Sequence, residues 1–308
     1  MLKNSNELLV LGGSGFIGQK VIEKALLRKY KITVISKKKK LEYKKVKYIY
    51  LDLRNYNNLN KKLGKRKFQY IINLSGNIDH SKFDENGKDI IENHFNVLVN
   101  VLSVININTL KKIIQIGTSD EYGTIKSPQK EVDIKVFHSV YSFAKNATYN
   151  FLLMLNKIHK IKFTYIRPYL VYGPNQKDDR LIPYVIKSCL NNNNIFLSNP
   201  KYIRDFVYVD DFAELIVRVL RNSKSNQKIY NLGSGKPISI KKITKKIIDK
   251  IGRGKLIHKK LYKLKKENKS LYANISKAKN DLNWKPLTSI DEGLDKTIKY
   301  YKNIYGNL

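Results

Sequence analysis

Short apolar runs alternate with longer mixed segments through the first half of the chain, the pattern of repeated strand and helix units around a parallel sheet. Six runs have strand length and are rich in Ile, Val, Leu or Tyr, as strands buried on both faces are. They are Glu7 to Leu11, Ile32 to Ile35, Val46 to Leu51, Tyr70 to Leu74, Lys112 to Ile116 and Phe163 to Ile166. Between them, the apolar spacing predicts helices near Gly18 to Arg28, Ile90 to Asn106 and Val140 to His159. The expected fold class is α/β, a doubly wound parallel sheet.

After Pro168 the rhythm changes. Turn-rich pieces such as Tyr172-Gly173-Pro174-Asn175 and Asn231 to Gly235 are interspersed with helical patterns at Ile240 to Ile251 and Ile290 to Tyr301. The expected organisation is a first domain over 1–170, to which 204–232 returns, and a smaller C-terminal domain from 171–203 and 233–308.

Composition narrows the function classes. The 308 residues carry 60 Lys and Arg against 25 Asp and Glu, a formal charge of +35, so phosphorylated ligands, nucleic acid and anionic membranes all have to be considered. Only nine of the cations are Arg, and the chain is crowded with Asn and Ile; this reads as drift over a whole solvated surface, since a selected nucleic-acid face favours the bidentate Arg in one patch. A single cysteine, Cys189, excludes an internal disulfide and a cysteine-built zinc site, and no metal is expected. No signal peptide opens the chain, and the charge-free stretch His94 to Leu110 is too short for a bilayer, so the expectation is a cytoplasmic protein with no membrane partner.

Directly after the first strand comes Gly12-Gly13-Ser14-Gly15-Phe16-Ile17-Gly18, opening a helix. The first glycine permits a tight turn, the second lets backbone approach a pyrophosphate, and Gly18 allows close helix packing, with phosphate at the helix N-terminus. This predicts a dinucleotide loop on a Rossmann-type sheet. Where a carboxylate would bind the ribose of NAD, the second strand ends in Ser36, Lys37, Lys38, Lys39 and Lys40, which suits a 2′-phosphate; NADP is preferred over NAD.

Tyr141 and Lys145 stand at i and i+4, on one face of the helix after the fifth strand. A phenol of reference pKa near 10 is a poor base at neutral pH, and a neighbouring ammonium favours its phenolate. Such a Tyr can take a proton from a hydroxyl while nicotinamide takes the hydride. Thr118, at the end of the fifth strand where open sheets place ligands, completes a Thr118, Tyr141, Lys145 set.

With these residues the chain resembles the extended short-chain dehydrogenase/reductases, the NAD(P)-dependent nucleotide-sugar epimerase/dehydratase family. The resemblance extends over nearly the whole sequence. It adds Asp52 and Leu53 after strand three, where the family contacts adenine, Leu74, Ser75 and Gly76 beside the cofactor, Asn96 at the family's helix-four asparagine, and Arg167-Pro168, with Pro168 passing the nicotinamide. Further on, Arg204 in Arg204-Asp205-Phe206-Val207-Tyr208 corresponds to the arginine that holds the nucleotide diphosphate, with Arg180 as helper and Ser119 also at the substrate. Tyr230-Asn231-Leu232-Gly233-Ser234-Gly235 and Trp284-Lys285-Pro286 match as well.

Departures bear on the reaction. Leu170 stands where many epimerases have a phosphate-contacting Asn, Asp120 takes the place of the glutamate in the corresponding run of the GDP-mannose dehydratases, and Lys263 and Lys265 lie where the family often has a phosphate-binding arginine. The resemblance implies an enzyme acting on a nucleoside-diphosphate sugar through a 4-keto intermediate, with epimerase and dehydratase both open. An NADPH-dependent 4-keto-sugar-nucleotide reductase is the alternative. A nucleic-acid-binding protein on a decayed reductase scaffold is the rival from another class, and Thr118, Tyr141 and Lys145 argue against it. Apolar residues on more than one side of His94 to Leu110 and of the Tyr141 helix, together with the family's pairing of those two helices, point to a homodimer.

Overall fold

The computed structural model describes residues 6–39, 42–133, 137–258 and 268–305. The chain divides into two compact units, one of 1–123, 134–168 and 213–230, the other of 124–133, 169–212 and 231–308.

The first unit is built on a seven-stranded sheet. Six strands, β1 (Glu7–Leu11), β2 (Lys31–Ser36), β3 (Val46–Tyr50), β4 (Tyr70–Asn73), β5 (Lys112–Ile116) and β6 (Lys162–Pro168), pair in parallel in the order β6-β5-β4-β1-β2-β3. A seventh, Lys228–Leu232, joins beyond β6; the expectation of six strands missed it because it lies after the change of rhythm at Pro168. Each of Leu8 to Leu11 is fully buried, which is why the run carries no polar alternation. The chain reverses direction across the sheet between β1 and β4, the switch point at which a crevice opens beyond the carboxyl ends of the strands.

Helices Phe16–Leu27, Tyr56–Leu63 and Val140–His159 cover the sheet. The last is 20 residues long, capped by the Ser139 hydroxyl, which accepts from the Ser142 N–H, and ended by Lys160 in the left-handed region. The single helix expected over Ile90 to Asn106 is instead Lys88–Ile91, a wide π turn at Glu92–Asn96, and Val97–Val104. It stops there because Ile105 turns extended and the Asn106 side chain caps a separate short turn, Ile107–Thr109.

In the second unit, helices Leu181–Leu190, Ile240–Ile251 and Ile290–Tyr305 enclose Val185, Ile186, Ile243, Ile247, Leu294 and Ile298. The last helix runs a turn beyond the expected Tyr301. Residues 124–133 belong here because Gln129 donates to Tyr272 O and accepts at its own carbonyl from Asn231 Nδ2. Among the described residues no helix is long and apolar enough to cross a membrane.

Candidate active site

The glycine loop leaves β1 with Gly12 at φ +74°, and a side chain on Gly12 would meet the Leu74 carbonyl oxygen at 2.9 Å. At Gly18 a Cβ would lie 2.5 Å from the Gly13 carbonyl oxygen, so loop and helix touch backbone to backbone. Gly15 caps helix Phe16–Leu27 with no side-chain hydrogen bond and no acidic residue follows in the first turn, which leaves the helix N–H groups of Phe16, Ile17 and Gly18 for an anion. A pyrophosphate-bearing dinucleotide fits this cradle.

At the end of β2, the Ser36 hydroxyl donates to Ser14 Oγ (2.7 Å) and accepts from the Ser14 N–H (3.2 Å), tying the strand end to the loop. Lys37 lies 3.2 Å from Asp52 Oδ2. A carboxylate from the end of the adjacent strand thus stands beside the first lysine of the run. β3 runs in register beside β2, with Ser36 opposite Tyr50, so residues just past the two strand ends face one another. Burial alone would raise the Asp52 carboxyl, but hydrogen bonds from Arg54 and Lys37 outweigh it and hold it well below the usual carboxylate range. Lys38 and Lys39 are exposed, Leu53 is buried, and Lys40 lies outside the described residues.

After β4, Ser75 donates from its N–H to Asn73 Oδ1 (3.1 Å), and Gly76 sits at φ +92°. The reason for glycine is His94: a Cβ at 76 would come within 2.3 Å of the imidazole. His94 is 3% exposed, bonds through Nε2 to Asn77 O (2.9 Å), and stands edge-on to Tyr141 at 5.0 Å between ring centroids. Burial and the nearby Lys145 push its pKa down to about 3, so the imidazole is neutral. Asn96, expected to face the site, is exposed. The wide turn changes the helix phase and brings His94 inward instead.

Tyr141 is 5% exposed, and besides His94 a second imidazole, His80, stands edge-on to its ring at 5.5 Å. Lys145 Nζ lies 5.9 Å from the Tyr141 ring centroid and donates to Ile116 O (3.1 Å), so the ammonium is anchored on the end of β5. Burial lowers its pKa to about 8, against the opposing charge of Glu121. Thr118 caps the turn Ser119–Tyr122, its Oγ1 accepting from the Asp120 N–H (3.2 Å). Ser119 is buried, while Asp120 is partly open with His80 Nε2 3.6 Å from its Oδ2. Pro168 ends β6.

In the second unit, Arg204 is buried, its Nη1 donating to Ile203 O (2.9 Å) and Asn268 O (3.0 Å). Arg180, at the start of helix Leu181–Leu190, is half-exposed with Nε 3.6 Å from Asp179 Oδ1. Asp205 next to Arg204 is fully buried and accepts from the N–H groups of Gly235 and Ala273, each at 3.1 Å, which is how the Arg-Asp and Gly-Ser-Gly segments are joined. Lys263 and Lys265 lie outside the described residues. The residues that sequence reasoning missed are His94, His80 and the buried role of Glu121; of these only Glu121 had a local signal, the Thr-x-x-Glu spacing of a capping box.

A glycine cradle at the switch point of a parallel sheet, with a buried Tyr and Lys on the adjoining helix, defines a dinucleotide-dependent enzyme of the Rossmann class. The chain belongs to the NAD dependent epimerase/dehydratase family, whose match covers residues 8–233. It is 29% identical to a UDP-glucuronate 4-epimerase of Thermodesulfobacterium geofontis, over 96% of this chain and 95% of that one. Among solved structures it resembles Pal from Bacillus thuringiensis (26% identity, TM-score 0.86, 97% and 99% of the two chains). The UDP-glucuronic acid 4-epimerase of Bacillus cereus shares its fold (24% identity, TM-score 0.86, 97% and 100%).

Proposed function

We propose that the protein oxidises a hydroxyl of a nucleoside-diphosphate sugar to a ketone and then epimerises or dehydrates that sugar. The observation that carries this reading is the buried pairing of Tyr141 with a Lys145 whose ammonium is pinned to the end of β5. Bound in the glycine cradle, the dinucleotide supplies a reversible hydride acceptor. Tyr141, as phenolate, accepts the hydroxyl proton, Lys145 stabilises that phenolate, and the Thr118 hydroxyl donates to the same substrate oxygen. Asp120 is the carboxylate available for a second proton transfer, and Arg204, with Arg180, takes the diphosphate. NAD is the better cofactor for this site, because Lys37, the first of the lysines on which an NADP preference rested, is paired with Asp52.

The test has two parts. The purified protein is denatured and the released dinucleotide identified; the intact protein is then incubated with UDP-glucose, UDP-glucuronate, dTDP-glucose and GDP-mannose. Tyr141→Phe is expected to keep the dinucleotide and lose about 10²- to 10⁴-fold in turnover. Normal turnover by that variant refutes the assignment.

A homodimer is part of the same proposal. Phe143, Met154 and Ile158 are 52%, 43% and 63% exposed and share the face of helix Val140–His159 opposite Tyr141. A second copy, covering that face, would hold the catalytic helix from behind. Light scattering should give twice the 35.9 kDa chain mass, and a fully active species of one chain refutes it.

A further inference from the structure

Beneath Thr118 lies an ion pair with no solvent contact: Glu121 and Arg167 are each 0% exposed, 3.0 Å apart. Glu121 Oε1 accepts from the Thr118 N–H (3.0 Å) and the Tyr165 hydroxyl (2.8 Å), while Oε2 accepts from Arg167 Nε (3.1 Å) and Asn146 Nδ2 (3.1 Å). The Tyr165 oxygen also sits 2.7 Å from the Lys145 carbonyl. One carboxylate therefore joins three elements: the turn carrying Thr118, the helix carrying Tyr141 and Lys145, and β6. The Arg167 guanidinium lies over the Tyr122 ring at 4.6 Å.

Stability alone is a poor account of such a pair. Stripping water from two charges is costly, and apolar residues of similar volume commonly serve a core as well or better. The connections point elsewhere, since each element that Glu121 joins bears on Thr118 or Lys145. We propose that Glu121 and Arg167 are positioning residues of the active site: together they hold the Thr118 turn to the helix of Tyr141 and Lys145, and Glu121 supplies the negative charge that faces the Lys145 ammonium. The inference rests on the reading of Lys145 given under Proposed function.

The groups around Lys145 are few. Tyr141 is on its own helix, neutral His94 is on the preceding helical segment, Glu121 is on the turn, and Tyr165 and Arg167 are on β6. Burial disfavours the ammonium and Glu121 opposes that, so deleting the carboxylate must make Lys145 easier to deprotonate. Deleting the guanidinium removes the cation that keeps Glu121 charged in the core, and so weakens the same opposition. A purely structural pair would weaken the fold in both cases and leave the titration of Lys145 where it was.

The experiment is calorimetric titration of NAD into cofactor-free protein between pH 6 and pH 10. In the wild type, affinity should fall above about 8, where Lys145, whose ammonium would also hold the nicotinamide ribose, loses its proton. Glu121→Gln should move that break to lower pH by about one unit, and Arg167→Met should move it in the same direction. Where Glu121→Gln does not fold, Glu121→Leu combined with Arg167→Met packs without buried charge and should shift the break in the acid direction. If NAD binds the folded variants with the break unmoved, the positioning role is refuted while the reading of the site stands. If NAD does not bind the wild type at any pH, that reading fails, and this inference fails with it.

Discussion

Lys112 opens β5 at a place where a charge is expensive. It is 3% exposed, beside Lys162 on the neighbouring strand, and its Nζ donates to Asn222 O (2.8 Å) and Ser225 Oγ (2.6 Å). Burial, reinforced by Lys162, pushes its pKa from 10.5 down to about 7. Between those values the unfolded chain keeps a proton that the folded protein gives up, so the Lys112 contribution to stability rises with pH across that window; below about pH 7 the full penalty applies. At about 1.4 kcal/mol per unit, two units from pH 7 to pH 9 correspond to about 3 kcal/mol, a ceiling because the two acceptors favour the ammonium.

Lys112→Met removes the penalty without orphaning its partners, since Asn222 O still accepts from Ser225 Oγ (2.8 Å) and Ser225 Oγ still accepts from Thr164 Oγ1 (3.1 Å). The variant should be as stable as the wild type or more so at pH 7. At pH 9 it should be the less stable protein, because the neutral amine keeps two hydrogen bonds, each worth about 1 kcal/mol. Urea unfolding of both proteins at both pH values measures the difference, in which groups common to the two cancel. An unfolding free-energy difference between wild type and variant that is the same at pH 7 and pH 9 refutes the reasoning.

Two further substitutions test the cofactor cradle. Gly18→Ala places a methyl against the Gly13 backbone, so it should cost about 1–3 kcal/mol in stability and abolish NAD binding in the same calorimetric titration; Gly252→Ala, at φ +83° with nothing within 4 Å, should cost about 1 kcal/mol and leave NAD affinity unchanged. Asp52→Asn frees the Lys37 ammonium from its carboxylate, so the ratio of NADP to NAD affinity should rise by about tenfold, the worth of one modest charge-assisted contact; an unchanged ratio would place Lys37 away from the ribose.

What the sequence made legible follows from how local each cause is. β1, β5 and helices Val140–His159 and Ile240–Ile251 have the bounds that the apolar spacing predicts, because each is set by periodicity and a neighbouring cap or turn residue. The glycine loop was readable for the same reason. The Ile90 to Asn106 pattern was not, because a wide turn leaves the apolar composition unchanged while rotating which side chains face inward; His94 reaches Tyr141 and Asn96 reaches solvent on the strength of that rotation alone. The pairing of Asp52 with Lys37 escaped in another way: Asp52 was named for the cofactor on its own strand, and only the register of β2 beside β3 brings it to the lysine past the neighbouring strand end.

Glu121 marks the limit most clearly. Its spacing from Thr118 is that of a capping-box glutamate, a residue that ordinarily stands at a solvated helix start, and nothing within the motif distinguishes that place from a fully buried one. The difference is made by Arg167, 46 residues later, and by Asn146, 25 residues later, both brought to the carboxylate only when β6 and the long helix pack beside β5. A local motif can therefore name the acceptor while the fold decides whether its charge is spent on water or on the lysine beside the reacting tyrosine. In this chain the packing directs it inward, which is why the burial that disfavours the Lys145 ammonium is opposed by a carboxylate that no motif in the sequence connects to it.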